Sequence, residues 1–343
     1  MSEQQPADHW TCVRAPARLH LGFVDLGNTA ERRFGSLGLA VSGLDAVIAA
    51  RAALALDVEG AHATRVAQIA AQVAASLGRP CAMALRVLAM PPAHAGLGSG
   101  TLLALSAGTA SASVLGATLS PRQLAALAGR GGRSGIGIGS FELGGFLVDG
   151  GRGARTGLPP LLARVEFPEA WRVVLLFDER REGLSGVAER SAFVALPEMS
   201  AATAGELSRH VLMGVLPALH EADFDAFSAH LAAVQRLNGA HFAPAQGGLF
   251  SSEPVGRCLE EVARAFGLPG IGQSSWGPTG FIVTPDAVTA ERVAAAITQR
   301  AAEGLRCLTV AAANTGALRS SVPALEEVAT TCTSTPAQRS LPQ

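Results

Sequence analysis

The spacing of apolar residues predicts a chain that mixes strands and helices. Alternating or short continuous apolar runs predict strands at residues 10–24, 36–41, 46–52, 81–90, 171–177, 279–283 and 306–312. Helical spacing, with start and stop signals, predicts helices at residues 61–77, 99–115, 120–130, 188–194, 201–219, 223–237 and 253–266. Residues 131–153 are too rich in glycine for a simple helix.

These elements fall into two groups of the α+β class, with the best boundary near residues 158–160. We therefore expect one lobe at residues 10–160 and a second at residues 161–320. The ends, residues 1–9 and 323–343, lack apolar periodicity and predict flexible tails.

Charge and composition limit the function. The formal net charge is -1, so no overall field recruits nucleic acid or an anionic membrane. All 27 basic residues are arginine. Without lysine, a Walker A loop, a pyridoxal Schiff base and a lysine general base are impossible. An anion site must therefore be local and built from arginine, backbone amides or both.

Several features favour a cytoplasmic protein. The five cysteines are odd in number, widely spaced and never in a C-x-x-C pair, which is typical of reduced thiols. No secretory signal is present at the start of the chain. Residues 87–121 lack Asp, Glu and Arg, but prolines and glycines interrupt them, so we expect a loop and a buried helix there and no membrane span.

The sharpest chemical signal is the loop at residues 91–101, PPAHAGLGSGT, between a predicted strand and a predicted helix. Glycines let the backbone approach an anion, and a helix N-terminus directs free N–H groups toward it. The loop lacks the third glycine of a dinucleotide fingerprint and the lysine of Walker A. It is a candidate phosphate cradle, and the alternative is a helix-entry turn whose glycines only permit tight packing.

This loop resembles the phosphate loop of GHMP kinases, and four other segments agree with that resemblance. They are residues 16–23 (PARLHLGF), 33–38 (RFGSLG), 133–146 (RSGIGIGSFELGGF) followed by DGG at 149–151, and 272–278 (GQSSWGP). The first two segments resemble in particular the β-ribofuranosylaminobenzene 5'-phosphate synthases of that superfamily. The resemblance runs in order from about residue 10 to residue 319.

The resemblance implies a GHMP kinase fold, in which a lobe like the second domain of ribosomal protein S5 precedes a ferredoxin-like lobe. It also implies condensation of phosphoribosyl pyrophosphate with 4-aminobenzoate, releasing CO2 and pyrophosphate, in tetrahydromethanopterin biosynthesis. Mg2+ and a homodimer are expected on the same ground. The alternatives are an ATP-dependent small-molecule kinase and a catalytically idle nucleotide-sensing protein.

The resemblance also implies site residues. The candidate catalytic residues are Arg18, His20 and Glu142, and the candidate metal ligands are Ser99 and Glu142. The candidate substrate-binding residues are Arg33, Gly96, Gly98, Ser99, Gly100, Thr101, Arg133, Gln273, Ser274 and Ser275.

Some of these residues have structural interpretations that the sequence leaves open. His20 fits a core histidine nearly as well as a catalytic one, and Glu142 fits a metal ligand or a partner for Arg133. Many GHMP kinases carry an Asp base where this chain has Phe141 and Glu142, and many add a lysine in the first motif. We therefore expect a reaction that neither consumes nor requires ATP.

Overall fold

The computed structural model describes residues 9–27, 31–183 and 186–325. The predicted tails lie almost wholly outside these residues. The strands are β1 (Trp10–Asp25), β2 (Arg32–Ala52), β3 (Asp57–Gly60), β4 (Met83–Ala89), β5 (Phe146–Asp149), β6 (Arg152–Gly153), β7 (Leu161–Val165), β8 (Arg172–Asp178), β9 (Ile271–Gln273), β10 (Gly280–Thr284), β11 (Leu305–Val310) and β12 (Leu318–Val322).

The helices lie between these strands along the chain, singly or in runs. They are α1 (Ala63–Ser76), α2 (Ser99–Val114), α3 (Pro121–Leu127), α4 (Ile136–Leu143), α5 (Gly186–Ala195), α6 (Ala201–His210), α7 (Leu216–Glu221), α8 (Phe224–Gln246), α9 (Glu253–Phe266) and α10 (Ala287–Arg300). A π-helical turn, Val211–Val215, joins α6 to α7. No helix in the described ranges is both long enough and apolar enough to span a bilayer.

The strands form two sheets. The larger has the order β12-β1-β2-β4-β3, with β5 and β6 paired to β2 and β7 paired to β5. The smaller is antiparallel, with the order β11-β8-β10-β9. Strands β7 and β12 come from positions assigned to the second lobe, yet they pair within the first sheet. The division at residue 160 therefore stays a prediction.

Helices cover both sheets and bury the core between them. Helices α1 and α2 pack on the larger sheet, and α9 and α10 pack on the smaller one. A third cluster joins apolar residues of both sheets with those of α6, α7 and α8. The mixed α+β class predicted from the sequence is confirmed.

Most predicted elements are present, and the errors have physical causes. The sequence predicts separate strands at residues 36–41 and 46–52, with a break at Ser42 and Gly43, and this break is wrong. Ser42 N and Oγ both donate to Ala311 O, and β2 continues through Ser42 and Gly43. Helix α4 occupies the glycine-rich segment, since its buried residues pack against the sheet and α2. The sequence pattern missed the short strands β3, β5, β6, β7, β9 and β12, and helix α10.

Asn238, a buried residue of α8, is hydrogen-bonded to β1, the strand that contains the motif at residues 16–23. Asn238 of α8 accepts a hydrogen bond from Phe23 N (2.8 Å) and donates to Phe23 O (3.0 Å) and to Val234 O (3.1 Å). Phe23 also lies opposite Ser36 of β2 in the sheet, and these bonds add an anchor from α8. Asn238 thereby fixes the end of β1 against α8.

We expect Asn238→Ala to lower the free energy of unfolding by about 1–3 kcal/mol, because it removes the hydrogen bonds that α8 makes with both backbone polar groups of Phe23. Urea unfolding would measure the loss, and Gln299→Ala, which removes an exposed amide from α10, is the control. Equal stability of the two variants would contradict the role given to Asn238.

Candidate active site

The glycine-rich loop leads from β4 into α2 and presents the first N–H groups of that helix. Gly98 precedes the helix with φ 75°, a left-handed conformation that favours glycine. Helix α2 begins at Ser99, and Thr101 N and Leu102 N already donate to Gly98 O, at 3.0 and 3.1 Å. The N–H groups of Ser99 and Gly100 precede these bonds and therefore lie where an anion would accept hydrogen bonds from the backbone.

The loop is held by the first and the last of the predicted motifs. Gly96 O accepts hydrogen bonds from Arg18 Nη1 and from Ser274 Oγ, both at 2.7 Å. Ser274 Oγ in turn accepts from His20 N at 3.0 Å. A Cβ on Gly98 would lie 3.0 Å from Arg18 Cγ, so the arginine stem runs directly beneath the loop. The structure thus brings Arg18, His20, Ser274 and the loop together.

His20 is buried at this junction, with only 2% of its surface exposed. Its Nδ1 accepts from Gly22 N at 3.3 Å, which leaves the proton on Nε2 in the neutral ring. Nε2 is buried and has no hydrogen-bond partner in the described part of the chain. Burial, and then the nearby charges of Arg18 and Arg133, hold the pKa of His20 well below its usual value. His20 is therefore a neutral imidazole at physiological pH.

Arg133 and a group of aromatic rings form one wall of the site. The guanidinium carbon of Arg133 lies 4.6 Å from the ring centre of Phe193 on α5. Phe193 contacts Trp276 at 5.3 Å and Phe23 at 5.8 Å between ring centres. Arg133 lies over an aromatic face, and Arg18 is the second arginine whose charge acts on His20. This wall of the site is therefore positively charged.

Arg33 and its neighbour have different roles. Arg32 donates from Nε to Gly150 O (2.8 Å) and from Nη2 to Gly151 O (3.0 Å), so its role is structural. Arg33 is exposed and donates only a long bond, 3.3 Å, to Leu26 O in the described residues. Of the pair, Arg33 is the arginine with donors available to a ligand.

Arg130 belongs to the site, although the motifs did not indicate it. A Cβ on Gly100 would lie 3.2 Å from Arg130 Nη2, so the guanidinium lies against the first turn of α2. Arg130 Nε is buried and has no hydrogen-bond partner among the residues that the structure describes. Burial and the charge of Arg65 lower the pKa of Arg130. A cation beside the positive end of a helix strongly favours the binding of an anion at that place.

Asp149 is a second residue whose role the sequence did not show. Its carboxylate is buried and accepts hydrogen bonds from Gly135 N (2.8 Å), Gly151 N (2.8 Å) and Ser134 Oγ (3.2 Å). Burial raises the pKa of Asp149 despite these bonds. The carboxylate fixes the turn that follows Arg133 and leads into α4.

The C-terminal motif, residues 272–278, is called the third motif below and is mostly occupied with internal bonds. Gln273 donates to Gln246 Oε1 (2.9 Å) and to Ser275 O (3.0 Å), and accepts from Ser251 N (2.7 Å). Ser274 is fully buried. Ser275, with φ 55°, is in the left-handed region and donates its N–H to His20 O. Gln273 and Ser274 therefore hold the turn in shape.

Glu142 makes its contacts away from the glycine loop. Its carboxylate lies 4.0 Å from Arg122 Nε, and the neighbouring Phe141 O accepts from Ala317 N. In the described residues no hydrogen bond or ion pair joins Glu142 to the loop, and a metal ion shared by Ser99 and Glu142 stays a prediction. The described residues contain no group of three His, Cys, Asp or Glu side chains suited to a metal.

Because the pKa of His20 is lowered on folding, the unfolded chain binds more protons below the usual pKa of 6.5. The contribution of neutral His20 to the free energy of unfolding is complete above pH 6.5 and is lost as the pH falls below it. We expect His20→Gln to lose less stability than the parent protein between about pH 7.5 and about pH 5.5. Urea unfolding across this range would measure it, with the exposed His220→Gln as control; parallel curves for His20→Gln and the parent would refute the expectation.

Solved structures of similar fold include small-molecule kinases and mevalonate diphosphate decarboxylases. Mevalonate-3-kinase from Thermoplasma acidophilum superposes with a TM-score of 0.64 at 12% identity, over 91% of this chain and 98% of that one. Homoserine kinase from Cytophaga hutchinsonii superposes with a TM-score of 0.60 at 16% identity, over 93% of this chain and 100% of that one. At these identities they show the GHMP kinase fold alone.

Relatives by sequence are a different kind of enzyme. No protein-family model matches the chain. The β-ribofuranosylphenol 5'-phosphate synthase of Methanothermobacter thermautotrophicus is 32% identical over 80% of this chain and 88% of its own length. That of Archaeoglobus fulgidus is 33% identical over 79% and 87%. The chain is an enzyme with the GHMP kinase fold and belongs to the β-ribofuranosylphenol 5'-phosphate synthase family.

Proposed function

We propose that this enzyme transfers the phosphoribosyl group of phosphoribosyl pyrophosphate to the carboxyl-bearing carbon of a para-substituted benzoate, releasing CO2 and pyrophosphate. The identity to the synthases over about four fifths of the chain carries the proposal. Their name specifies a phenol product, which requires 4-hydroxybenzoate as acceptor, whereas an aminobenzene product requires 4-aminobenzoate. The position of this reaction in tetrahydromethanopterin biosynthesis is part of the same proposal.

The anion site suits the leaving pyrophosphate. As the bond from ribose C1 to oxygen breaks, its electron pair goes to pyrophosphate, and groups placed in advance must stabilise that charge. The amides of Ser99 and Gly100, the hydroxyl of Thr101 and the guanidinium of Arg130 are the groups that we assign to this role. Arg18 holds the loop through Gly96 O and adds positive charge beneath it.

The acceptor half of the reaction needs no protein nucleophile. The ring carbon that bears the carboxylate attacks ribose C1, and the para substituent donates electron density to the ring. The bond to the carboxyl group then breaks, its electrons restore the aromatic ring, and CO2 leaves. Arg133 and Arg33 are the arginines that we assign to the acceptor carboxylate or the 5'-phosphate.

The site supports this chemistry better than alcohol phosphorylation. Phe141 is buried in the core, and Glu142 lies beside Arg122, so neither supplies a base at the loop. One solved structure of similar fold is a complex with AMPPCP and magnesium. If Mg2+ takes part, the donor's pyrophosphate oxygens are the ligands that we expect for it.

The compartment and the assembly are part of the proposal. Cys81, Cys258 and Cys307 are unbridged thiols, which suits a reducing cytoplasm. A homodimer is proposed on family resemblance alone.

The decisive assay incubates the protein with Mg2+, phosphoribosyl pyrophosphate and carboxyl-labelled 4-hydroxybenzoate or 4-aminobenzoate. We expect labelled CO2 and pyrophosphate in equal amounts without ATP. ADP formation with an alcohol acceptor would instead identify a kinase, and nucleotide binding without turnover a sensor; either result overturns the proposal.

We expect Arg130→Ala to raise KM for phosphoribosyl pyrophosphate by about 10-fold to 150-fold, the equivalent of one charge-assisted hydrogen bond of about 1.5–3 kcal/mol. The acceptor KM should not change. Arg257→Ala, which removes an exposed ion pair with Glu253 on α9, is the matched control. An unchanged donor KM in Arg130→Ala would remove this arginine from the donor site.

A further inference from the structure

A cavity of about 510 Å³ lies on the side of the third motif away from the glycine loop. Its walls come from the end of β1, the C-terminal half of α8, strand β9 with the turn after it, and the segment that follows α9. Its volume is within the range of about 300–1,000 Å³ that is typical of small-molecule sites. Two of the sequence motifs contribute to it, through His20 and Phe23 and through Gln273, Ser275 and Trp276. No local pattern predicted the cavity itself, because its walls come from four separate parts of the chain.

The lining favours a flat apolar ligand. The rings of Phe23, Phe242 and Trp276 form part of the wall. The amides at the wall already have partners: Asn238 bonds Phe23, and Gln235 donates to Leu21 O (2.7 Å). A sugar or a nucleotide would find few free hydrogen-bonding groups here, whereas an aromatic ring would replace water on apolar surface.

Two further features indicate a ligand that is polar at one end and anionic. His20 and Trp276 both line the cavity, and His20 Nε2 and Trp276 Nε1 are buried without a hydrogen-bond partner in the described residues. An unmade bond of this kind costs about 1–3 kcal/mol, which a polar substituent on a ligand would recover. Exposed Arg236 and Arg264 line the cavity together with exposed Glu260, which leaves one net positive charge to attract an anion to it.

We propose that this cavity binds the aromatic acid that accepts the phosphoribosyl group, a step that rests on the function proposed above. The turn of the third motif connects the two sites, since Ser274 Oγ bonds Gly96 O while Ser275 and Trp276 line the cavity. The end of the cavity at His20 is therefore the end nearest the donor. The carboxyl-bearing carbon lies at that end, and the para substituent lies toward Leu268.

The test narrows the cavity and measures binding of each substrate separately. Leu249 lines the cavity but is 43% exposed, so Leu249→Trp adds bulk with little cost to folding. Leu212→Trp makes the same change at a 64% exposed position outside the cavity and is the matched control. Ala232→Phe fills the cavity from α8, and a thermal melt shows whether this buried substitution is tolerated.

Titration of 4-hydroxybenzoate and of 4-aminobenzoate into each protein should show acceptor binding at least about 10-fold weaker in Leu249→Trp, the effect typical of a bulk change in an apolar pocket. The donor KM should stay at the parental value, and Leu212→Trp should behave as the parent. Parental acceptor affinity in a folded Leu249→Trp would overturn the inference. Loss of acceptor binding in the variants, from a parent that forms no product, would support the cavity while refuting the proposed reaction.

Discussion

Gly96 O is the atom on which the site depends, because it accepts hydrogen bonds from Arg18 and from Ser274. These two bonds join β1 of the larger sheet, the loop before α2 and the turn before β10 of the smaller sheet. A Cβ on Gly96 would lie 2.2 Å from Ser274 O, so only glycine permits this approach. The orientation of α2, and hence of its free amides, is set by a contact between distant segments.

The site combines positive groups from several elements. The N-terminus of α2, Arg130, Arg18 and Arg133 surround the loop, and the charge of two of them contributes to the low pKa of His20. Arg130 in particular would be stabilised by a bound anion, because its Nε is buried without a hydrogen-bond partner in the described residues and its guanidinium lies against the first turn of α2. The donor proposed above would supply that anion. The same electrostatics keeps His20 neutral, so it suits hydrogen bonding better than salt-bridge formation.

The GHMP kinase fold therefore also serves a synthase. Phosphate oxygens carry the negative charge in phosphoryl transfer and in the reaction proposed above, and helix amides suit both. Beside the loop, rings of α5, α8 and the third motif form an apolar wall, while Phe141 is buried in the core and Glu142 lies beside Arg122.

The sequence by itself determined the α+β class, most of the helices and longer strands, and the family, because periodicity and glycine-rich motifs are local properties. It also indicated Arg18, His20 and the loop, which the structure brings together. The tertiary structure alone decided that Glu142 lies beside Arg122, that Gln273 is committed to internal bonds, and that Arg130 and Asp149 belong to the site. Each of these depends on contacts between segments far apart in the chain, which no local pattern encodes. The short strands β7 and β12 were missed for the same reason, since only their pairing with β5 and β1 makes them strands.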